Sequence, residues 1–130
     1  MSTYLKLIFL ITALCLNTAW ADDFEDGATA YKGKDYATAF RIFYKLAHEQ
    51  EANAQYNLGL MYYNGHGVAQ NYLEALRWYR ASAMMLNNKA QLNLAAMYAN
   101  GVGVPQNYLE ALGWYKMSAA AGYDLSLIHI

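Results

Sequence analysis

AQYNLGLMYYNGHGVAQNYLEALRWYRASA, residues 54–83, returns as AQLNLAAMYANGVGVPQNYLEALGWYKMSA, residues 90–119. The offset is 36 positions. Nine of the 30 pairs differ: Tyr56/Leu92, Gly59/Ala95, Leu60/Ala96, Tyr63/Ala99, His66/Val102, Ala69/Pro105, Arg77/Gly113, Arg80/Lys116 and Ala81/Met117. Self-similarity at such a period is the signature of a stacked-repeat protein, in which each unit buries its apolar face against its neighbours.

Each unit divides into two helices. In the second half, Asn71 stands three residues before Glu74, and Asn107 three before Glu110. An Asn side chain can accept from the free N–H groups that open a helix, and a Glu at that distance can reach back. Ala75, Leu76, Tyr79, Ser82 and Ala83 follow at helical spacing. This predicts a helix B over 72–84 and 108–121, with Gly122 suited to the left-handed residue that closes the second. The first half places Ala54, Leu58, Met61 and Tyr62 on one face of a helix A. Gly59 and Ala95 are small at one register position, which predicts close approach of a neighbouring helix. The link, Asn64-Gly65-His66-Gly67-Val68 or Asn100-Gly101-Val102-Gly103-Val104, has two glycines one residue apart and predicts positive φ at both. It is no phosphate loop, since the third glycine and the preceding strand are missing.

The pattern of Ala54, Leu58, Gly59, Tyr62, Gly65, Gly67, Val68, Ala75, Trp78 and Ser82-Ala83 resembles the Sel-one-like repeat family, a branch of the tetratricopeptide superfamily. The resemblance covers 54–89 and 90–124, with Ala95 in place of the glycine in the second copy. It implies an all-α fold: a right-handed superhelical α/α solenoid of about three helix pairs, used mostly as a protein-interaction scaffold. Some secreted members carry a disulfide in each repeat. This chain departs from them, because its one cysteine is Cys15.

Residues 22–53 read as a degenerate tetratricopeptide-like repeat. Phe24, Ala28 and Tyr31 align with helix A, Asp35 takes the capping place of Asn71, and the glycine link shrinks to Lys32-Gly33-Lys34. The acids Asp22, Asp23, Glu25 and Asp26 suit the start of a helix. Residues 1–21 read as a secretory signal peptide: Lys6, an apolar run from Leu7 to Leu16, and Ala19-Trp20-Ala21 as cleavage site. The expected localisation is therefore exported, periplasmic or secreted. Without those residues the chain has 8 basic against 10 acidic side chains, no footprint for nucleic acid or an anionic membrane. At the other end, residues 125–130 keep apolar spacing but lose the repeat signature, so they are expected to be an incomplete repeat or non-native sequence.

Candidate sites follow from comparing the copies. Trp78, Trp114, Tyr79, Tyr115, Tyr62 and Tyr98 recur unchanged, which points to packing. By resemblance to tetratricopeptide domains, helix A lines the concave face, where Asn53, Tyr56, Asn57, Leu60, Tyr63 and Asn64 would project, with Lys89, Leu92, Asn93, Ala96, Ala99 and Asn100 as counterparts. The peptide-binding candidates are Asn57 and Asn93, whose amides offer donor and acceptor together, with Tyr56, Tyr63, Asn53 and Lys89. The alternative for each Asn is a hydrogen bond that holds the repeat pitch. Catalytic residues, a metal site and a cofactor are not expected: His48, His66 and His129 are scattered, and neither HExxH nor G-x-S-x-G occurs. The leading function is a non-enzymatic exported scaffold for a protein or peptide partner. The alternatives are a cell-wall-fragment or small-molecule binder with weak hydrolase activity, and a structural fragment of a longer array.

Overall fold

The structure, a computed structural model, describes residues 2–121, and of residues 2 and 9–20 the backbone alone. Gly122 and the tail 125–130 lie outside the described residues. Among the described residues six helices follow one another: α1 (Ser2–Lys32), α2 (Tyr36–His48), α3 (Ala52–Asn64), α4 (Tyr72–Met84), α5 (Asn88–Asn100) and α6 (Tyr108–Ala120). Among them, substantial contacts run only between successive helices, from α1·α2 through α5·α6. That one-dimensional pattern defines a solenoid.

The helix starts obey the capping reading, with one correction. Asn71 and Asn107 accept from the backbone N–H of Glu74 and Glu110, each at 3.1 Å. Asp35 caps α2 through Thr38 in the same way, at 3.3 Å. These hydrogen bonds to Thr38 hold the Asp35 carboxyl below its ordinary range. The glutamate does not close the box, however. Glu74 instead accepts from Arg77 Nη1 at 2.8 Å, one turn along the helix. The amide that a capping box would use is already taken: the Asn71 N–H donates to the Tyr62 carbonyl at 2.9 Å, as the Asn107 N–H does to the Tyr98 carbonyl at 2.8 Å.

Two clusters form the core. Ala39, Phe43, Leu46, Ala47, Ala54, Leu58 and Met61 join α2 to α3. Ala75, Leu76, Tyr79, Ala83, Ala90, Leu94, Ala95, Met97, Tyr98, Ala99, Ala111 and Tyr115 join α4, α5 and α6. Of the recurrent aromatics, Tyr79, Tyr98 and Tyr115 are buried, while Tyr62, Trp78 and Trp114 are half-buried. The Gly59 reading is sound: a Cβ there would lie 2.7 Å from Cδ1 of Tyr79. The packing of α1 that can be named lies beyond Ala21, through which the helix runs unbroken: Phe24 meets Phe43 with ring centroids 5.5 Å apart, and Gly27 faces the same ring.

The glycine links explain themselves by contact. Gly65, Gly67, Gly101 and Gly103 all have positive φ, between 66° and 73°. Gly65 and Gly101 end α3 and α5 as left-handed caps. Gly67 and Gly103 do something else: each presses on the first residue of the preceding B helix. A Cβ on Gly67 would stand 2.5 Å from the Tyr36 carbonyl oxygen, and one on Gly103 would stand 2.8 Å from Tyr72 Cβ. His66 between the glycines is packed rather than reactive. Its ring stacks on Tyr36 at 4.3 Å, and Nδ1 shares a 2.9 Å hydrogen bond with the Tyr31 hydroxyl.

Gly67→Val therefore meets both a forbidden φ and a backbone clash. It is expected to cost about 2 kcal/mol or more, read by denaturant unfolding. Gly113→Ala, inside α6 where an added Cβ meets nothing within 4 Å, should be neutral or stabilising in the same assay.

Candidate functional site

The helix A side chains face two neighbouring clefts. The larger, about 410 Å³, is lined by Phe24 of α1, by Ala52, Asn53, Tyr56 and Asn57 of α3, and by Met85 to Lys89 at the turn into α5. The smaller, about 270 Å³, is lined by Leu60, Tyr63 and Asn64 of α3, Tyr79 of α4, Val102 of the link, and Asn93, Ala96, Met97 and Asn100 of α5. The six predicted residues are thus split. Asn53, Tyr56, Asn57 and Lys89 share the first cleft. Tyr63 and Asn93 share the second.

The two central asparagines, equivalent by period, have unlike surroundings. Asn93 lines the second cleft beside Tyr79, whose phenol burial pushes strongly towards its neutral form and whose charged form the Asn93 amide favours. Asn57 has Phe43 at the place that Tyr79 takes for Asn93, and a phenyl ring offers no hydroxyl. Asn93 is held by the stack, whereas Asn57 faces the open cleft. Asn53 is also engaged, since its Oδ1 accepts from Asn87 Nδ2 at 3.0 Å. Asn87 in turn caps α5, its own Oδ1 accepting from the Ala90 N–H at 2.9 Å. Tyr56 lies against Tyr79, with ring centroids 5.9 Å apart, and Tyr63 against Tyr72 at 4.9 Å. Ala99, placed on the concave surface by the sequence, is buried at 3% exposure, because α5 turns that position towards α6 and the link.

Sequence comparison missed part of the lining. Phe24 was aligned with helix A of residues 22–53 and not offered as a binding residue, and Met85, Leu86 and Asn87, with Asn88 at the start of α5, lie between the compared stretches. Leu86 is the most telling. It holds a left-handed φ of 66° and exposes 72% of its surface at the cleft's rim. A leucine gains nothing there from its own fold and strains the backbone. The turn one repeat earlier gives the same φ to the polar Gln50.

Also missed were Gln55 and Gln91. Both are buried, and each donates Nε2 to the carbonyl of Ala47 or Ala83, near the end of the preceding B helix, at 3.2 Å. Their recurrence at offset 36 was the available signal. Ser82 adds a 2.7 Å bond to the Ala52 carbonyl.

A Sel1 repeat profile matches residues 52–85 and 88–123, more than half the chain. The chain belongs to the Sel1 repeat family. It is 35% identical over 69 residues to HcpC of Helicobacter pylori, a protein named as a beta-lactamase; the match spans 49% of this chain and 24% of HcpC. The fold is similar to that of a Sel1 repeat protein from Oxalobacter formigenes, with TM-score 0.76, 36% identity, and coverage of 79% of this chain and 44% of the other. It is similar too to a protective antigen of uropathogenic Escherichia coli displaying an SLR fold, with TM-score 0.77, 29% identity, and coverage of 82% and 24%. Helicobacter pylori cysteine-rich protein B shares the fold at TM-score 0.65 and 17% identity, with coverage of 82% and 90%. The chain thus spans about a quarter of HcpC and of the E. coli antigen and under half of the Oxalobacter protein. With these relatives, the all-α helix pairs form a right-handed superhelical solenoid. Sel1 repeat proteins are typically non-catalytic scaffolds for protein–protein interaction. Among the described residues no helix is long and apolar enough to cross a membrane, and no group of three or more His, Cys, Asp or Glu is placed to hold a metal ion.

The unlike asparagines give a stability prediction. Asn93→Ala should lower the melting temperature, because the buried Tyr79 hydroxyl loses its polar neighbour, a cost of about 1–3 kcal/mol. Asn57→Ala should fall within about 0.5 kcal/mol of the parent. Both are read by thermal unfolding. Alkali provides a second check. The Tyr79 phenol is raised above its ordinary value of 10.0 in the folded chain, mainly by desolvation, and the phenols of Tyr31, Tyr62 and Tyr115 are raised as well. The unfolded chain therefore loses these protons first. Stability should be intact below that value and fall as pH rises past it, with a clear drop in melting temperature between about pH 9 and about pH 11.

Proposed function

We propose that this Sel1 repeat protein is an exported, non-enzymatic scaffold that binds a segment of a partner protein in the cleft between α3 and the α4–α5 turn. One observation carries the reading: the concave candidates Asn53, Tyr56, Asn57 and Lys89 converge on one open cleft whose rim holds the strained, exposed Leu86. The cleft offers what an extended peptide needs. Asn57 supplies a donor and an acceptor for a backbone amide. Phe24, Tyr56, Met85 and Leu86 supply apolar area beside them, and interfaces favour aromatic and Met side chains. Among the described residues Lys89 is the one charged group of the lining, so an acidic or C-terminal carboxylate group on the peptide would be matched there. Tyr63 and Asn93 stand one cleft further along α3 and α5, where a longer segment would continue.

Export is supported by the residues 1–21 alone: the positive start, the apolar run and the Ala19-Trp20-Ala21 site. Intact mass of the chain recovered from an envelope fraction should begin at Asp22; a chain that still begins at Met1 would refute processing.

Affinity capture from an envelope extract tests binding. The parent chain should retain a partner, and both Asn57→Ala and Leu86→Gly should weaken retention by about tenfold or more. Leu86→Gly is the sharper variant, because glycine relieves the left-handed φ and the fold should gain stability while binding falls. Equal retention by the parent and both variants would refute this cleft as the binding surface.

A further inference from the structure

The two helix B copies differ most on the side away from the concave cleft. Three of the nine substitutions fall on one helical stripe and its edge: Arg77 becomes Gly113, Arg80 becomes Lys116, and Ala81 becomes Met117. The result on α6 is a shallow notch of about 250 Å³ lined by Leu109, Glu110, Gly113, Trp114 and Met117. Leu109 is 82% exposed and Met117 45%, and among the described residues nothing lies within 4 Å of a Cβ built on Gly113. The other two glycines inside packed helices each receive an aromatic ring: Gly27 takes Phe43, and Gly59 takes Tyr79. Gly113 receives none among the described residues, although glycine within a helix costs stability relative to almost any other residue.

This stripe is not the surface on which repeats stack. Its counterparts on α4, Leu73 and Arg77, remain exposed although α5 is packed against α4. The stacking position is the neighbouring Leu76, buried at 8% where a following repeat covers it, against 43% for Leu112.

We propose that α6 pairs antiparallel with α6 of a second copy about a two-fold axis through Gly113. The sequence is self-complementary about that residue. A two-fold at position 113 brings Leu109 of one copy to the level of Met117 of the other, and Glu110 to the level of Lys116 across the contact. Both pairs occur twice, as an isologous interface requires. Positions 109, 113 and 117 form one i±4 ridge, the kind that interlocks between crossing helices, and the bare glycine lets the backbones approach at the crossing point. On α4 the same operation would bring Arg77 against its own copy, joining bulk to like charge, so the first repeat cannot pair in this way. One helix face per subunit is at the low end of interface sizes, so the dimer is reversible.

Sedimentation velocity of the full chain over a concentration series tests this. The parent should pass from monomer to dimer. Gly113→Arg, which restores the sister repeat's residue into open space, should raise the dissociation constant by at least about tenfold. Its melting temperature should be unchanged or higher, which separates lost pairing from lost folding. Glu110→Lys and Lys116→Glu should each weaken the dimer, and the two together should recover it. A parent that stays monomeric throughout would overturn the proposal, leaving the notch to the following chain or another protein. Dimerisation that Gly113→Arg leaves intact would overturn it too, since the contact would then lie on another face.

Discussion

The B helices α2 and α4 are each gripped at both ends by the repeat that follows, and the stack depends on this grip. At the N-terminus of α2 the link glycine Gly67 rests on the Tyr36 carbonyl; near its C-terminus Gln55 donates to the Ala47 carbonyl. The next repeat repeats the arrangement on α4, with Gly103 at Tyr72 and Gln91 at Ala83. One contact is steric and permits no side chain. The other is polar: it adds a side-chain donor from the next repeat to a carbonyl that also accepts from the turn backbone, Gln50 N–H on Ala47 and Leu86 N–H on Ala83. Together they fix where the following helix pair sits along the helix axis and how far it stands off. Apolar burial alone would hold the layers together but is non-directional and would not set their register.

The grip has a consequence for binding. Because α3 and α5 are each positioned from both ends of a B helix, the concave side chains stand on a floor that need not be ordered when a partner arrives. Ordering costs are what usually separate buried area from affinity. Leu86 fits the same account. The left-handed turn between α4 and α5 is imposed by the grip on α4, and an apolar side chain held there is presented outwards at the expense of local backbone energy.

Much of this was legible before the structure. The period gave the helix pairs, the Asn residues gave their starts, and the paired glycines gave the left-handed links, since each rests on local chemistry that recurs at a fixed offset. Two things were not legible for a common reason: they depend on which residue of a different helix stands opposite. Asn57 and Asn93 are the same residue in the same register, yet one meets a phenyl ring and the other a phenol. Glu74 had the spacing of a capping box, but its carboxylate went to Arg77, a competitor that capping logic does not consider. Gln55 and Gln91 were visible as identical pairs and were passed over because polar residues inside an apolar stretch read as surface, while here they bond the carbonyls of the preceding B helix. Ala99 shows the converse error, a position placed on the concave surface by register that the packing of α5 turns inwards.

Seven of the nine differences between the copies sort by the pressure on each site. Gly59/Ala95 adjusts the space beside a buried tyrosine, and His66/Val102 exchanges a stacked ring for an apolar side chain within the link, so these keep the stack while changing its filling. Tyr56/Leu92 and Leu60/Ala96 change the shape and polarity of the concave surface without touching the grip. Arg77/Gly113 changes a surface that stacking leaves bare in both copies, whereas Arg80/Lys116 alters a residue that on α4 donates to the Tyr98 hydroxyl of the following repeat, and Ala81/Met117 one that is half-buried on α4. A purely structural repeat has no reason to replace an arginine that forms an ion pair with a glycine that costs helix stability, as happens at position 113. A substitution that weakens its own helix, on a surface the fold does not use, is explained by something outside the fold that needs the space.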